Sequence, residues 1–169
     1  MDQPNSYPGE TAATLVTVPR ILGLDVGDRR VGVAVSDERG STALPVLTLV
    51  RSNRRQDLRS LARILRKHAC AEIVVGNPLY MSGDLSPQAI KAQAFAEMLR
   101  QEFGLPVSLW DERLTTTLAH RLLHLSGRAG SEHKMVVDQV AAVLILQSFL
   151  DARANNIARA SSLGFSNQE

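Results

Sequence analysis

Apolar residues along this chain change their period part-way through. They first come in short runs: Ile21 to Val26, then Val31, Val33 and Val35 alternating with Gly32, Ala34 and Ser36, then Ala43 to Val50. Polar turns at Gly27-Asp28 and Asp37-Glu38-Arg39-Gly40 separate these runs, so they read as three strands of an antiparallel meander. Pro45 cannot donate to a ladder, which puts the third strand at a sheet edge. From Asn53 to His68 the period becomes helical, with Leu58, Leu61, Ala62 and Leu65 opposite Arg55, Arg59, Arg63 and Lys67. A buried strand follows over Glu72 to Gly76. Ser86-Pro87 then opens a helix that turns Ile90, Ala94, Met98 and Leu99 inward and stops at Gly104. Val107 to Trp110 is the last strand, and helices are expected over Thr115–Leu125 and Val136–Ala152 around the loop Ser126–Lys134.

A meander followed by strand–helix alternation predicts an α/β fold. Its mixed five-stranded sheet has three antiparallel strands, two parallel strands added through crossovers, and flanking helices. The expected domain spans 19–152, between a flexible N-terminal arm (1–18) and a flexible C-terminal tail (153–169), both polar and without a sustained apolar face. With 44% hydrophobic residues the chain can fill one full core. Cys70 is its one cysteine, so neither an internal disulfide nor a cysteine-based zinc site can form, which fits a reducing, cytoplasmic setting. No apolar run approaches the roughly 18 residues of a membrane span, and the first residues lack the order of a secretory signal.

In such sheets ligands gather at the carboxyl ends of the parallel strands. Asp25 ends the first strand and Glu112 follows the fifth, while Asp138 begins an otherwise apolar helix. Singly, each has an ordinary explanation, a turn cap for Asp25 or a favourable first-turn charge for Asp138. Together, three carboxylates at one sheet edge would repel one another unless a cation sat between them. Oxygen ligands of this kind suit Mg²⁺ or Mn²⁺, and two such ions about 4 Å apart would clamp both oxygens of a phosphodiester hydrolysis. Gly23 and Gly27 would leave room for a phosphate backbone.

Arg29, Arg30, Arg113 and Lys134 lie close to these carboxylates in sequence and are candidate nucleic-acid contacts, as is His133. The denser basic run from Arg51 to Lys67 reads more simply as a solvated helix face. His120 and His124 stand four apart, but without the adjacent glutamate of a metalloprotease they read as an ordinary helix face. Aromatic residues make up only 4% of the chain, which argues against base stacking as the main recognition mode.

Four blocks carry a resemblance. Leu24-Asp25-Val26-Gly27 with Arg30-Val31-Gly32-Val33-Ala34, Ile73 to Leu79, Asp111 to Thr116, and Asp138 to Gln147 resemble the YqgF (RuvX-like) nucleases, in family order over roughly residues 20 to 151. The resemblance implies a ribonuclease H-like fold and a divalent-metal nuclease. Its assigned task is either 5′-end maturation of precursor 16S ribosomal RNA or cleavage of Holliday junctions. By motif position Asp25, Glu112 and Asp138 would be its acidic triad. Asn77 stands where the family commonly has an apolar residue, and Met135 where it often has a basic one, leaving Lys134 as the cation there. Two other classes share some of these features. An actin-like ATPase needs two such domains, and Asp28 would repel phosphate at the turn; a non-catalytic nucleic-acid scaffold would tolerate loss of an acidic residue, yet all three are present. A junction resolvase would be expected to act as a homodimer, matching the two-fold symmetry of its substrate.

Overall fold

The computed structural model describes residues 18–114 and 131–164. Five strands, β1 (Arg20–Val26), β2 (Arg30–Ser36), β3 (Ala43–Val50), β4 (Cys70–Asn77) and β5 (Val107–Asp111), form one sheet in the order β3-β2-β1-β4-β5. β1 pairs antiparallel with β2 and β2 with β3, whereas β1–β4 and β4–β5 are parallel. This is the mixed five-stranded sheet, three antiparallel strands and two parallel, that the sequence pattern predicts. Pro45 lies on the edge strand, opposite Ala34 at a break in the β2–β3 register.

Alternation along the strands divides their side chains between two helical layers. Leu22, Leu24, Val26, Val31, Val33, Val35, Ile73, Val75 and Val107 pack toward α1 (Arg54–Lys67) and α2 (Pro87–Phe103). Asn53 caps α1 by accepting from the Gln56 N–H, and Ser86 caps α2 by accepting from the Ala89 N–H. On α2 the buried face is Ala89, Ala92, Phe95, Ala96 and Leu99, whereas Ile90 and Ala94, expected inside, are exposed. Alanines let that helix lie close to the sheet, and a helix so poor in large apolar residues gives its inward face little sequence signature.

The opposite layer is one long helix, α3 (Ser131–Gly164). It begins before the expected Val136 and continues past Ala152, so residues 153–164 are helical rather than an irregular tail. Nothing between Ala152 and Gly164 breaks a helix, the segment is rich in alanine, and Arg153 is anchored to Glu72 at 2.7 Å. By length and composition the Lys134–Ser161 part of α3 meets the criterion for a membrane span, contrary to the sequence expectation. Its Ala142, Ile145, Leu146 and Leu150 are instead buried against Ile21, Ala34 and Val74, which makes it the core helix of this face. Trp110 on β5 donates to Ser148 Oγ at 3.1 Å and meets Phe149 edge-on, fixing α3 over the far edge of the sheet. The expected helix Thr115–Leu125, the histidines at 120 and 124, most of the expected loop and residues 1–17 lie outside the described residues.

Candidate active site

The α3 face of the sheet is built from small residues at the points where chemistry-bearing groups gather. Asp25 alternates onto this face and stands directly across from Gly32 in the β1–β2 register. Gly32 has no side chain because the backbone of Asp138 occupies that space: a Cβ there would overlap the Asp138 carbonyl. Asp138 is therefore carried onto β2 beside Asp25 by a helix seated directly on a strand. It sits well inside α3, which starts at Ser131, so it is not the first-turn residue that a dipole explanation requires.

Glu112 reaches the same region from the other side. It opens the short 3₁₀ turn Glu112–Leu114 after β5, and its carboxylate lies over Gly76 of β4, where a Cβ would also meet Ile145 Cδ1 at 2.6 Å. Gly76 directly follows Val75, the β4 partner of Leu24, so the Glu112 carboxylate approaches Asp25 across the β1–β4 pair. β1, the turn after β5 and α3 thus each bring one acid to this end of the sheet.

Their electrostatics record the crowding. Burial, and then the charge of Asp138, push the Asp25 carboxyl up from 3.8 to about 6. Burial, followed by the charges of Asp25 and Asp111, pushes Glu112 from 4.5 to about 8. The third acid is partly neutralised, since Arg30 Nε donates to Asp138 Oδ2 at 2.5 Å. A set of hard carboxylate oxygens whose charges oppose one another suits a divalent cation in donor chemistry. In the arrangement seen, no three His, Cys, Asp or Glu side chains among the described residues come close enough together to hold one.

The basic residues expected at the site fall into two kinds. Arg29 and Lys134 are exposed. Arg30 is engaged by Asp138, and Arg113 binds Asp111 through Nη2 at 2.6 Å and through Nε to both carboxylate oxygens at 3.0 Å. Arg113 Nη1 also donates to the Met81 carbonyl, tying the β4–α2 loop to the end of β5. His133 lies in the first turn of α3, and its side chain is outside the described residues. The two glycines expected to clear a phosphate path also meet neighbours inside the protein. A Cβ at Gly23 would press on Leu146 Cβ at 2.7 Å, and one at Gly27 would meet the Arg30 carbonyl at 2.9 Å within the hairpin turn.

Sequence reasoning missed the engagement of Arg30 by Asp138. Its trace in the sequence is faint: Arg30 shares a strand face with Gly32, the residue on which Asp138 rests. The basic run on α1 is solvent-exposed on the opposite layer, away from the carboxylates. A cleft of about 490 Å³ on that side is lined in part by Asp28, Arg51, Asn53 and Lys91. Within it Arg51 is paired with the buried Asp57 and Lys91 with Asp28.

Known proteins bear on this arrangement in sequence and in structure. A family model described as "RuvX: Holliday junction resolvase" matches residues 19–152. A Koribacter versatilis protein named "Putative pre-16S rRNA nuclease" is 48% identical over 79% of this chain and 88% of its own. Proteins of the same name from Moorella thermoacetica (46%) and Thermoanaerobacter pseudethanolicus (43%) match 81% and 80% of this chain, and 98% and 99% of their own lengths. Among solved structures, Thermus thermophilus RuvC in complex with a Holliday junction substrate superposes with a TM-score of 0.49 at 15% identity, covering 82% of this chain and 97% of that one. With a family model spanning most of the chain and relatives matched over nearly their full lengths, the protein belongs to the RuvX family of nucleases.

Proposed function

We propose that the protein is a divalent-metal endonuclease that hydrolyses phosphodiester bonds in structured nucleic acid, with Asp25, Glu112 and Asp138 as its metal ligands. The observation that carries this reading is the crowding of three acids from separate elements at one end of the sheet, where burial and mutual repulsion raise Asp25 and Glu112. No stability argument accounts for such crowding, because replacing one acid by an amide would relieve it. Mg²⁺ or Mn²⁺, as a pair, would activate a water and stabilise the leaving oxygen. The protein's own part is to hold three carboxylates on a rigid sheet and to present cations to the phosphate backbone. Arg29 and Lys134 are exposed for that purpose. Arg30, Arg113 and His133 are further candidate contacts to that backbone by their positions in the chain, as is Gly27 in the turn between Asp25 and Arg29.

Precursor 16S ribosomal RNA is the favoured substrate class, because the full-length relatives carry that name. A cytoplasmic setting is the one we infer for that task. A four-way DNA junction is the second reading, supported by the description of the family model, and it calls for a homodimer presenting two sites. The test compares cleavage of a precursor-RNA fragment with cleavage of a junction, in Mg²⁺ and in Mn²⁺, by wild type and Asp25→Asn. RNA cleavage that is lost in the variant is the expected outcome. Junction cleavage alone would select the second reading, and cleavage of either by Asp25→Asn at the wild-type rate would refute the metal assignment.

A further inference from the structure

The geometry points to Arg30 as a built-in competitor of the metal: its guanidinium holds Asp138 in the ion-free protein and must leave before Asp138 can act as a ligand. This inference rests on the three-carboxylate reading above and assigns that site a control element.

Three observations carry it. Arg30 Nε is bonded to Asp138 Oδ2, with the two side chains 30% and 22% exposed, so the pair is half-withdrawn from water rather than a loose surface contact. In a half-buried setting such a charge-assisted bond is short and costly to break. The Asp138 backbone is seated on Gly32, two residues along β2 from Arg30, so the backbones carrying the two side chains are held close together while the side chains can still part. Finally, with this pair formed, no three His, Cys, Asp or Glu side chains among the described residues come close enough together to hold a metal ion. Arg30 thus offsets part of the repulsion that Asp138 exerts on Asp25, and it does so by occupying an oxygen that a metal would need. Ligation by Asp138 and the bond from Arg30 are alternatives at Oδ2. The site therefore has two arrangements, one closed by the guanidinium and one in which Arg30 is released at the rim.

The test is calorimetric titration of the full-length protein with Mn²⁺ alone, without nucleic acid, alongside thermal unfolding with and without Mn²⁺. Arg30→Gln removes the competitor, so its Mn²⁺ affinity is expected to rise about tenfold, the equivalent of one charged hydrogen bond. Its metal-free melting temperature should fall, and the rise on adding Mn²⁺ should exceed that of wild type. In an Asp138→Asn background the same substitution should leave affinity unchanged. Unaltered or weaker Mn²⁺ binding by Arg30→Gln in the wild-type background would overturn the inference and make Arg30 a mere support for Asp138. If Arg30→Gln does not fold without metal, Arg30→Lys asks the same question, because it keeps the charge and lacks the Nε donor. Tighter binding than wild type supports the inference, and equal or weaker binding overturns it. Asp25→Asn separates the two layers of the reading. If it binds Mn²⁺ as wild type does, the carboxylate site fails and the role of Arg30 falls with it. If it loses Mn²⁺ while Arg30→Gln leaves affinity unchanged, only the role of Arg30 falls.

Discussion

The two faces of the sheet are made from different amino acids. Toward α1 and α2 the strands present Leu22, Leu24, Val31, Val33, Ile73 and Val75, all fully buried or nearly so. Toward α3 the same strands present Gly23, Asp25, Gly32, Ala34, Ser36 and Gly76 around a few larger residues. The first face gains stability from apolar area removed from water. The second gives up side-chain volume so that a helix can rest on the backbone and deliver Asp138 to Asp25. Period-two alternation lets one set of strands serve both ends, which separates the residues that hold the fold from those that crowd charge together.

The sharpest contrast comes from substitutions of similar size on opposite faces. Asp25→Asn should lower the cleavage rate by about a thousandfold or more, since it removes a proposed ligand to the catalytic ions. Its fold should be retained, and its metal-free melting temperature at pH 8 should be equal to or above that of wild type. Leu61→Ala should do the reverse, costing roughly 2–5 kcal/mol in denaturant unfolding while leaving the rate per folded molecule nearly unchanged. Loss of activity in Leu61→Ala without loss of stability would break the division.

Gly32→Ala should join the two effects. The added methyl meets the Asp138 carbonyl, so α3 must lift. We expect a destabilisation of about 1–3 kcal/mol together with a large fall in activity, because Asp138 moves with the helix. Denaturant melts and single-turnover rates on the same preparation check this.

A smaller effect is expected from pH in metal-free buffer. Glu112 has a folded-state pKa of about 8 against an ordinary 4.5, so between those values the folded protein binds more protons than the unfolded chain. Stability is then greatest at the low end of that window and declines as the pH rises through it, with Asp25 adding to the decline up to about 6. A melting temperature that falls by several degrees from about pH 5 to about pH 8, with a shallower fall in Glu112→Gln, is the predicted result. Adding Mg²⁺ should recover more stability at pH 8 than at pH 6, because ligation needs the deprotonated acids. The smallest effect is expected from neutralising Arg55, Arg59 and Arg63 together. Cleavage should stay within about twofold of wild type, because these side chains lie in the layer opposite the carboxylates.

Much of the fold was legible because strand alternation and turn residues leave direct marks. Pro45 identified its edge, and the change to helical period placed α1. The inward face of α2 was not legible, since alanines carry that contact and Ile90 points to solvent. The end of α3 was misplaced because its polar composition resembles a tail, although Arg153 ties it to Glu72. At the candidate site, the three acids could be picked out by their positions at strand ends and just before an apolar helical run. What sequence could not show is which cation meets which acid: Arg30 engages Asp138 from 108 positions away. Nor could it show that Gly23 and Gly32 make room for α3, because a glycine in a strand looks the same whatever fills the space beside it.

The most direct test of the central claim is the single-turnover rate at which Asp25→Asn cleaves a precursor-RNA fragment in saturating Mg²⁺, with RNA binding measured on the same protein. A fall in rate of about a thousandfold with binding held within a few-fold is the predicted result. Cleavage at the wild-type rate would contradict it, leaving the crowded carboxylates without their catalytic role.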